Sequence, residues 1–245
     1  MSYHYNGQEA ILPIMNKKAA LFAALPHTIP VFTGYIVLGA AYGILMDSKG
    51  FSILWSLIAS LFVYAGSMQF VAVTLLAAGF NPLGAFLMTI AVNARHIFYG
   101  VSMLKQYRGI GKLKPYLIFT LTDETFSIVC SAEVPEGVEP KWFYFFISFL
   151  DHMYWITGTL IGGILGSMVE FNTKGIDFVL TALFVVILIN QWQQTKNHIP
   201  AMIGIVSAIL CRLIFGSSNF IIPSMFCILF LVTWLKAPME RGNKR

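Results

Sequence analysis

Three short polar clusters sit inside apolar segments, where charge is costly. Asn93-Ala94-Arg95-His96 lies within residues 83–104, Thr120-Leu121-Thr122-Asp123-Glu124 within 115–132, and Asp151-His152 within 142–169. A charged side chain at the centre of a bilayer costs roughly 2.5–3.5 kcal/mol on insertion scales, so such groups turn inward and pair. An arginine guanidinium holds a carboxylate through two parallel hydrogen bonds. Buried Asp, Glu and His serve as proton relays, because burial and neighbouring charges bring their titration toward working pH. Tyr64 with Gln69, and Asn190 with Gln191, add neutral hydrogen-bond partners. Such a mixture of donors and acceptors suits an amphoteric solute whose apolar part rests among Phe, Met and Ile side chains. A purely structural reading stands beside this one: Arg95 paired with Asp123 or Asp151, and His96 and His152 neutral and satisfied by a carboxylate.

The elements that must carry these clusters are long and apolar. Residues 28–46, 51–79, 83–104, 115–132, 142–169, 176–192, 199–216 and 219–236 are each mostly hydrophobic. About 20 apolar residues in a helix cross the hydrocarbon core. Only 11% of the 245 residues are charged and 57% are hydrophobic, against about a quarter charged in a soluble domain. The expected fold is therefore all-α: a polytopic integral membrane bundle of about six to eight hydrophobic segments, forming a single transmembrane domain over 1–245. The net charge of +5 lies in short loops and at the ends. That is the pattern that orients a membrane protein, not one that binds nucleic acid. Cys130, Cys211 and Cys227 fall in apolar segments without metal-ligand spacing, and read as small side chains packed between helices. No metal or other cofactor is expected. No cleaved signal peptide stands out, and the first span is expected to begin near Thr28.

Positive charge marks the cytoplasmic side. Lys17 and Lys18, the loop with Lys105, Arg108, Lys112 and Lys114, and the tail with Arg241, Lys244 and Arg245 all belong there, which places both termini in the cytoplasm. Simple counting of spans contradicts this unless 51–79 makes no net crossing. Its natural break is Gly66-Ser67, so broken or re-entrant helices are expected, and a backbone opened at membrane depth survives only where protein or a water-filled cavity satisfies it. The halves 20–133 and 142–236 resemble one another. Gly39-Ala-Ala-Tyr-Gly43 echoes Gly162-Gly-Ile-Leu-Gly166, and Leu61-Phe-Val63 with Gln69 echoes Leu183-Phe-Val185 with Gln191. An inverted internal repeat of this kind puts a solute site at the repeat interface near the midplane.

These motifs also carry a family resemblance. Val63-Tyr-Ala-Gly-Ser-Met-Gln-Phe70, Asn93-Ala-Arg-His-Ile-Phe-Tyr-Gly100, Leu121-Thr-Asp-Glu-Thr-Phe126 and Asp151-His-Met-Tyr-Trp155 resemble the AzlC family over residues 20–236. The resemblance implies a permease, not an enzyme, that exports branched-chain amino acids (valine, leucine, isoleucine and analogues) across a bacterial inner membrane. It also implies a small hydrophobic AzlD-type partner subunit. The sequence has no G-x-x-x-x-G-K-[ST] phosphate loop, which favours gradient-driven secondary transport. A channel or carrier for another small amphoteric solute, or a permease component of a larger complex, are the alternatives. The candidate pathway residues are Tyr64, Gly66, Ser67, Gln69, Asn93, Arg95, His96, Asp123, Glu124, Asp151, His152, Asn190 and Gln191.

Overall fold

The computed structural model describes residues 17–77, 81–168 and 198–220, with separate short stretches between 178 and 235. Among the described residues all regular structure is helical. Two helices are long and continuous. α1 runs Lys17–Ser48 and α8 runs Pro140–Met168. At 1.5 Å per residue the 32 residues of α1 extend about 48 Å, more than the roughly 30 Å of the hydrocarbon core. The helix starts earlier than the expected Thr28, because Ala19–Leu25 is a run of strong helix formers. It continues through Pro26 and Pro30. Within this stretch Thr28 donates to the Leu25 carbonyl and Thr33 to the Pro30 carbonyl, each at 3.0 Å.

Three of the apolar segments are not single helices. Residues 51–79 give α2 (Ile53–Phe62) and α3 (Gly66–Ala77). Residues 83–104 give α4 (Pro82–Asn93) and α5 (Arg95–Ser102), interrupted at Ala94. Residues 115–132 give α6 (Lys114–Phe119), preceded by a 3₁₀ turn Gly111–Leu113, and then α7 (Asp123–Ser131). The first interruption falls at Val63–Ala65, just before the expected Gly66-Ser67. α9 spans Ile199–Asn219, with a non-helical Gly216 at φ 77°. By length and composition, α1 and the Ile199–Gly216 part of α9 suffice to cross a membrane.

The chain divides into two compact units. One holds the chain up to Gln69 and Arg95–Phe171; the other holds Phe70–Ala94 and Asn172 onward. The first is organised on the α1–α8 pair. α1 turns Thr28, Tyr35, Gly39, Tyr42 and Met46 inward, a spacing of three, four or seven that keeps them on one helical face. Gly39-x-x-x-Gly43 meets Gly158-x-x-x-Gly162, and small residues at this spacing let two backbones approach. A Cβ on Gly43 would stand 2.5 Å from the Gly163 nitrogen and from the Thr159 oxygen, and one on Gly158 would stand 2.6 Å from the Tyr35 oxygen. An apolar cluster around Met103, Tyr107, Leu117, Phe143 and Ile147 packs beside them.

Polarity runs opposite to that of a soluble protein. Thr28, Ser56, Ser60, Thr120, Thr125, Ser148, Asp151 and Thr159 are fully buried, while Phe22, Val37, Phe62, Phe98 and Leu213 are exposed. This is membrane character: apolar side chains outward, polar groups within. The cysteines depart from expectation. Only Cys211 is buried, whereas Cys130 and Cys227 are exposed among the outward apolar side chains. In a bilayer, an apolar thiol is as stable facing lipid as facing a helix.

The close α1–α8 approach predicts a sharp contrast between two glycines of α1. Gly43→Ala should lower the stability of the detergent-solubilised protein by about 1–3 kcal/mol through overpacking. Gly34→Ala, where no atom lies within 4 Å of the new Cβ, should change it by less than about 0.5 kcal/mol. Thermal melts of the two variants check this, and equal melting would contradict the backbone contact.

Candidate functional site

The interruption between α2 and α3 is built from its own loose ends. The amides of Val63 and Tyr64 both bond the Ala59 carbonyl, at 2.9 and 3.1 Å. The Ser60 carbonyl is left for a partner outside the helix, as at any helix end. His152 supplies it: Nε2 lies 3.2 Å from that carbonyl, and Nδ1 lies 3.1 Å from the Tyr116 hydroxyl. Only an N–H can face a carbonyl, so Nε2 carries a proton, and in the neutral ring Nδ1 accepts from Tyr116. A neutral imidazole is thus fully satisfied here. The expected carboxylate partner for His152 is replaced by a tyrosine and a backbone carbonyl. Gln69 ties the two helices together, accepting from the Ala65 amide and donating to the Ser60 hydroxyl, each at 3.2 Å. The Ser60 hydroxyl in turn lies 2.8 Å from that of Thr159 on α8.

Tyr64 adopts φ +42°, a left-handed conformation costing a non-glycine residue roughly 1–2 kcal/mol. It is this residue, and not Gly66, that turns the chain. A Cβ on Gly66 would meet only the rim of Trp155, at 3.9 Å. Tyr64 packs its ring 4.3 Å from that of His152, and its hydroxyl is buried without a hydrogen-bond partner.

The second and third interruptions bring the charges together. Arg95 opens α5, and its Nη2 lies 2.9 Å from Asp123 Oδ2. The same nitrogen donates to Ser67 at 3.3 Å, while Tyr99 donates to the other Asp123 oxygen at 2.7 Å. Asp123 and Glu124 occupy the first turn of α7, where Thr122 caps the helix by accepting from the Thr125 amide at 3.2 Å. Carboxylates are favoured at this end by the helix dipole. From α7 a line of hydroxyls leads to α1 and α8. Tyr35 Oη lies 2.8 Å from Glu124 Oε2 and 2.7 Å from Thr122 Oγ1. Thr122 Oγ1 lies 3.1 Å from Thr125 Oγ1, and Thr125 lies 2.8 Å from Asp151 Oδ2. Asp151 is fully buried, and its Oδ1 has no partner.

Of the candidates, Tyr64, Gly66, Ser67, Gln69, Arg95, Asp123, Glu124, Asp151 and His152 thus gather in one unit. His96 sits beside Arg95 with its ring edge-on to Tyr99, at 5.5 Å. Asn93 ends α4 in the other unit. Asn190 and Gln191 lie outside the described residues. Of the two carboxylates proposed for Arg95, the partner is Asp123. Tyr35, Thr125, Tyr116, Ser60 and Thr159 also belong to the network and are not among the expected residues. For Tyr35 a signal existed: Thr28, Tyr35 and Tyr42 recur every seven residues on the face that carries Gly39.

Residues 30–169 match the AzlC protein family. The chain is 50% identical over 238 residues to the branched-chain amino acid transport protein AzlC of Bacillus subtilis (strain 168), covering 96% of this chain and 94% of the relative. The chain belongs to the AzlC family. It is also 40% identical over 219 residues to an uncharacterized membrane protein of Haemophilus influenzae, covering 89% and 90% of the two chains. To the inner membrane protein YgaZ of Escherichia coli (strain K12) it is 30% identical over 235 residues, covering 91% and 95%. No solved structure matches the chain. The matched AzlC region contains the whole described polar network, from Tyr35 to Thr159.

In this AzlC-family chain, the ion pair and its satellites predict non-additive stability. Arg95→Ala and Asp123→Ala should each destabilise by leaving a half-buried charge unpaired. The double variant should recover about 0.5–3 kcal/mol relative to the sum, the range for residues in direct contact. Denaturation of the three variants in one detergent checks this, and strict additivity would mean the pair is not formed.

Proposed function

We propose that this chain exports branched-chain amino acids, valine, leucine, isoleucine and analogues, across a bacterial inner membrane. It works by gradient-driven secondary transport together with a small hydrophobic AzlD-type subunit. One observation carries the reading at the level of the site: mixed-sign and neutral polar groups converge on helix interruptions inside an otherwise apolar unit. Opened backbone at membrane depth needs a protein-lined or watered cavity around it, and carriers use such interruptions to bind solutes. The name of the half-identical Bacillus relative supplies the substrate class.

The chemistry fits a zwitterion. Arg95 Nε is buried without a partner, and a guanidinium is suited to a carboxylate. Asp151 Oδ1 is an open acceptor for an ammonium. The rings of Tyr35 and Tyr42 flank Trp155, with centroids at 5.5 and 6.2 Å, and offer apolar surface to a branched side chain. The inverted-repeat reading is supported by the meeting of Gly39 and Gly43 with Gly158 and Gly162, at the start of the two related halves. In this proposal both termini face the cytoplasm, as the basic loops require. The interruption at 63–65 belongs to a broken or re-entrant segment within six to eight hydrophobic segments.

The test is efflux. Cells lacking their own exporters are loaded with labelled valine through a dipeptide, and the chain is expressed with and without its small partner. Rapid efflux that collapses with the proton gradient is the expected result. Arg95→Ala or Asp123→Asn should slow it at least about tenfold, the effect of losing about 1.4 kcal/mol, with the protein still in the membrane. Absence of efflux from cells whose membranes contain the chain overturns the reading.

A further inference from the structure

The hydroxyl line between Glu124 and Asp151 has a proton count that fixes its charge. It contains four contacts: Glu124 to Tyr35 at 2.8 Å, Tyr35 to Thr122 at 2.7 Å, Thr122 to Thr125 at 3.1 Å and Thr125 to Asp151 at 2.8 Å. Each contact needs one hydrogen. The three hydroxyls own three between them. With both carboxyls ionised, Tyr35 donates to Glu124 and Thr125 to Asp151, and Thr122 has one hydrogen for two contacts. Donated to Thr125, it leaves the Tyr35–Thr122 contact, the shortest of the four, as two oxygens with no hydrogen between them; donated to Tyr35, it leaves the Thr122–Thr125 contact in that state. The Thr125 amide does not supply it, because that N–H already occupies the other lone pair of Thr122.

We propose that Glu124 and Asp151 together bind one proton, held at the two ends of a hydroxyl relay through Tyr35, Thr122 and Thr125. With the proton on Glu124, the acid donates to Tyr35, Tyr35 to Thr122, Thr122 to Thr125 and Thr125 to ionised Asp151. With it on Asp151, all four bonds reverse. Thr122 keeps the Thr125 amide bond in both states. Passage from one state to the other breaks one O–H and forms one O–H at each hydroxyl. The net result is one proton leaving Glu124 and one arriving at Asp151, with no charge left between them.

Two further observations favour a shared site over two independent carboxyls. Beside the pair lie Arg95 and Tyr99 on α5 and Asp123 on α7, with His152 on α8 and the Tyr116 and Tyr64 that contact it. Arg95 is engaged by Asp123 and the imidazole is satisfied as the neutral form. Arg95 is thus spent on Asp123, and a neutral His152 adds no charge against the two buried carboxylates. In addition, the Asp151 end is unfinished: Oδ1 is buried without a partner and the orphaned Tyr64 hydroxyl belongs to the residue packed on His152. An ammonium bound at Oδ1 favours ionised Asp151 and drives the proton to Glu124. A proton and an amino acid are thereby linked through one residue. That linkage rests on the transport reading, whereas the shared proton does not.

The experiment is infrared difference spectroscopy of the purified full chain in lipid at neutral pH, reading the carbonyl stretch of an un-ionised carboxyl and its shift in heavy water. One such carboxyl is expected. Glu124→Gln and Asp151→Asn should each abolish the whole signal, because either amide supplies the fourth hydrogen and leaves the remaining carboxyl ionised. Thr125→Val keeps the shape and both carboxyls but cuts the relay. On that background, Glu124→Gln should no longer remove the signal, while Asp151→Asn still should. No un-ionised carboxyl in the unsubstituted protein, or a signal lost in only one of the two single amide variants, overturns the proposal. Valine efflux can fail while the signal behaves as described, in which case the substrate assignment falls and the proton site stands.

Discussion

The glycine contact between α1 and α8 is the constraint on which the described polar unit depends. Because no side chains separate the two backbones at Gly39, Gly43, Gly158 and Gly162, residues one or two turns away are brought within reach of the same neighbours. Tyr35 on α1 and Asp151 on α8 both reach α7. Thr159 on α8 reaches α2, and His152 meets the carbonyl that ends it. The long helices act as rigid rails, and the short ones are positioned by polar contacts to them. A bulkier crossing would move every hydroxyl in the line by more than a hydrogen bond tolerates.

A second constraint is chemical. A helix interrupted inside hydrocarbon exposes backbone groups that no water satisfies. Two of the three interruptions carry their own compensation. His152 and Gln69 serve the α2–α3 break, and Thr122 caps α7. Among the buried atoms left without partners, Asp151 Oδ1, Tyr64 Oη, Arg95 Nε and Trp155 Nε1 lie on residues of this unit that reach or adjoin the network. Buried polar atoms without partners cost about 1–3 kcal/mol each, and in the proposed function they are the groups a solute would complete.

Much of this was legible in the sequence, and the remainder was hidden for physical reasons. Charges are conspicuous in apolar segments, so Arg95, Asp123, Glu124, Asp151 and His152 stood out. Arg95 was correctly given Asp123 as one of two partners. Hydroxyls are inconspicuous, because a Thr or Ser in a helix satisfies itself on a preceding carbonyl. Thr125, Ser60 and Thr159 gained meaning only when their neighbours across the bundle were known. Interruptions of one to three residues, such as Ala94 and Thr120–Thr122, vanish in a hydropathy average, so two broken segments read as continuous. The break that was anticipated was assigned to Gly66 because glycine is the usual residue for a left-handed turn. Tyr64 takes that role instead, fixed by packing against His152. Burial of the cysteines could not be read from hydropathy at all, since lipid and protein interior are equally apolar.

If this network lines an amino-acid pathway, its residues are reached by water-borne reagents and shielded by the solute, which thiol labelling reads. Cys130, Cys211 and Cys227 are first replaced, and Ser67, the Arg95 partner at the start of α3, is changed to cysteine. A small membrane-impermeant thiol reagent is then applied to the full chain in sealed vesicles. Measurable labelling at position 67 is expected, slowed by valine or leucine and unaffected by glutamate. Labelling that valine leaves unchanged, in vesicles that transport valine, would contradict it.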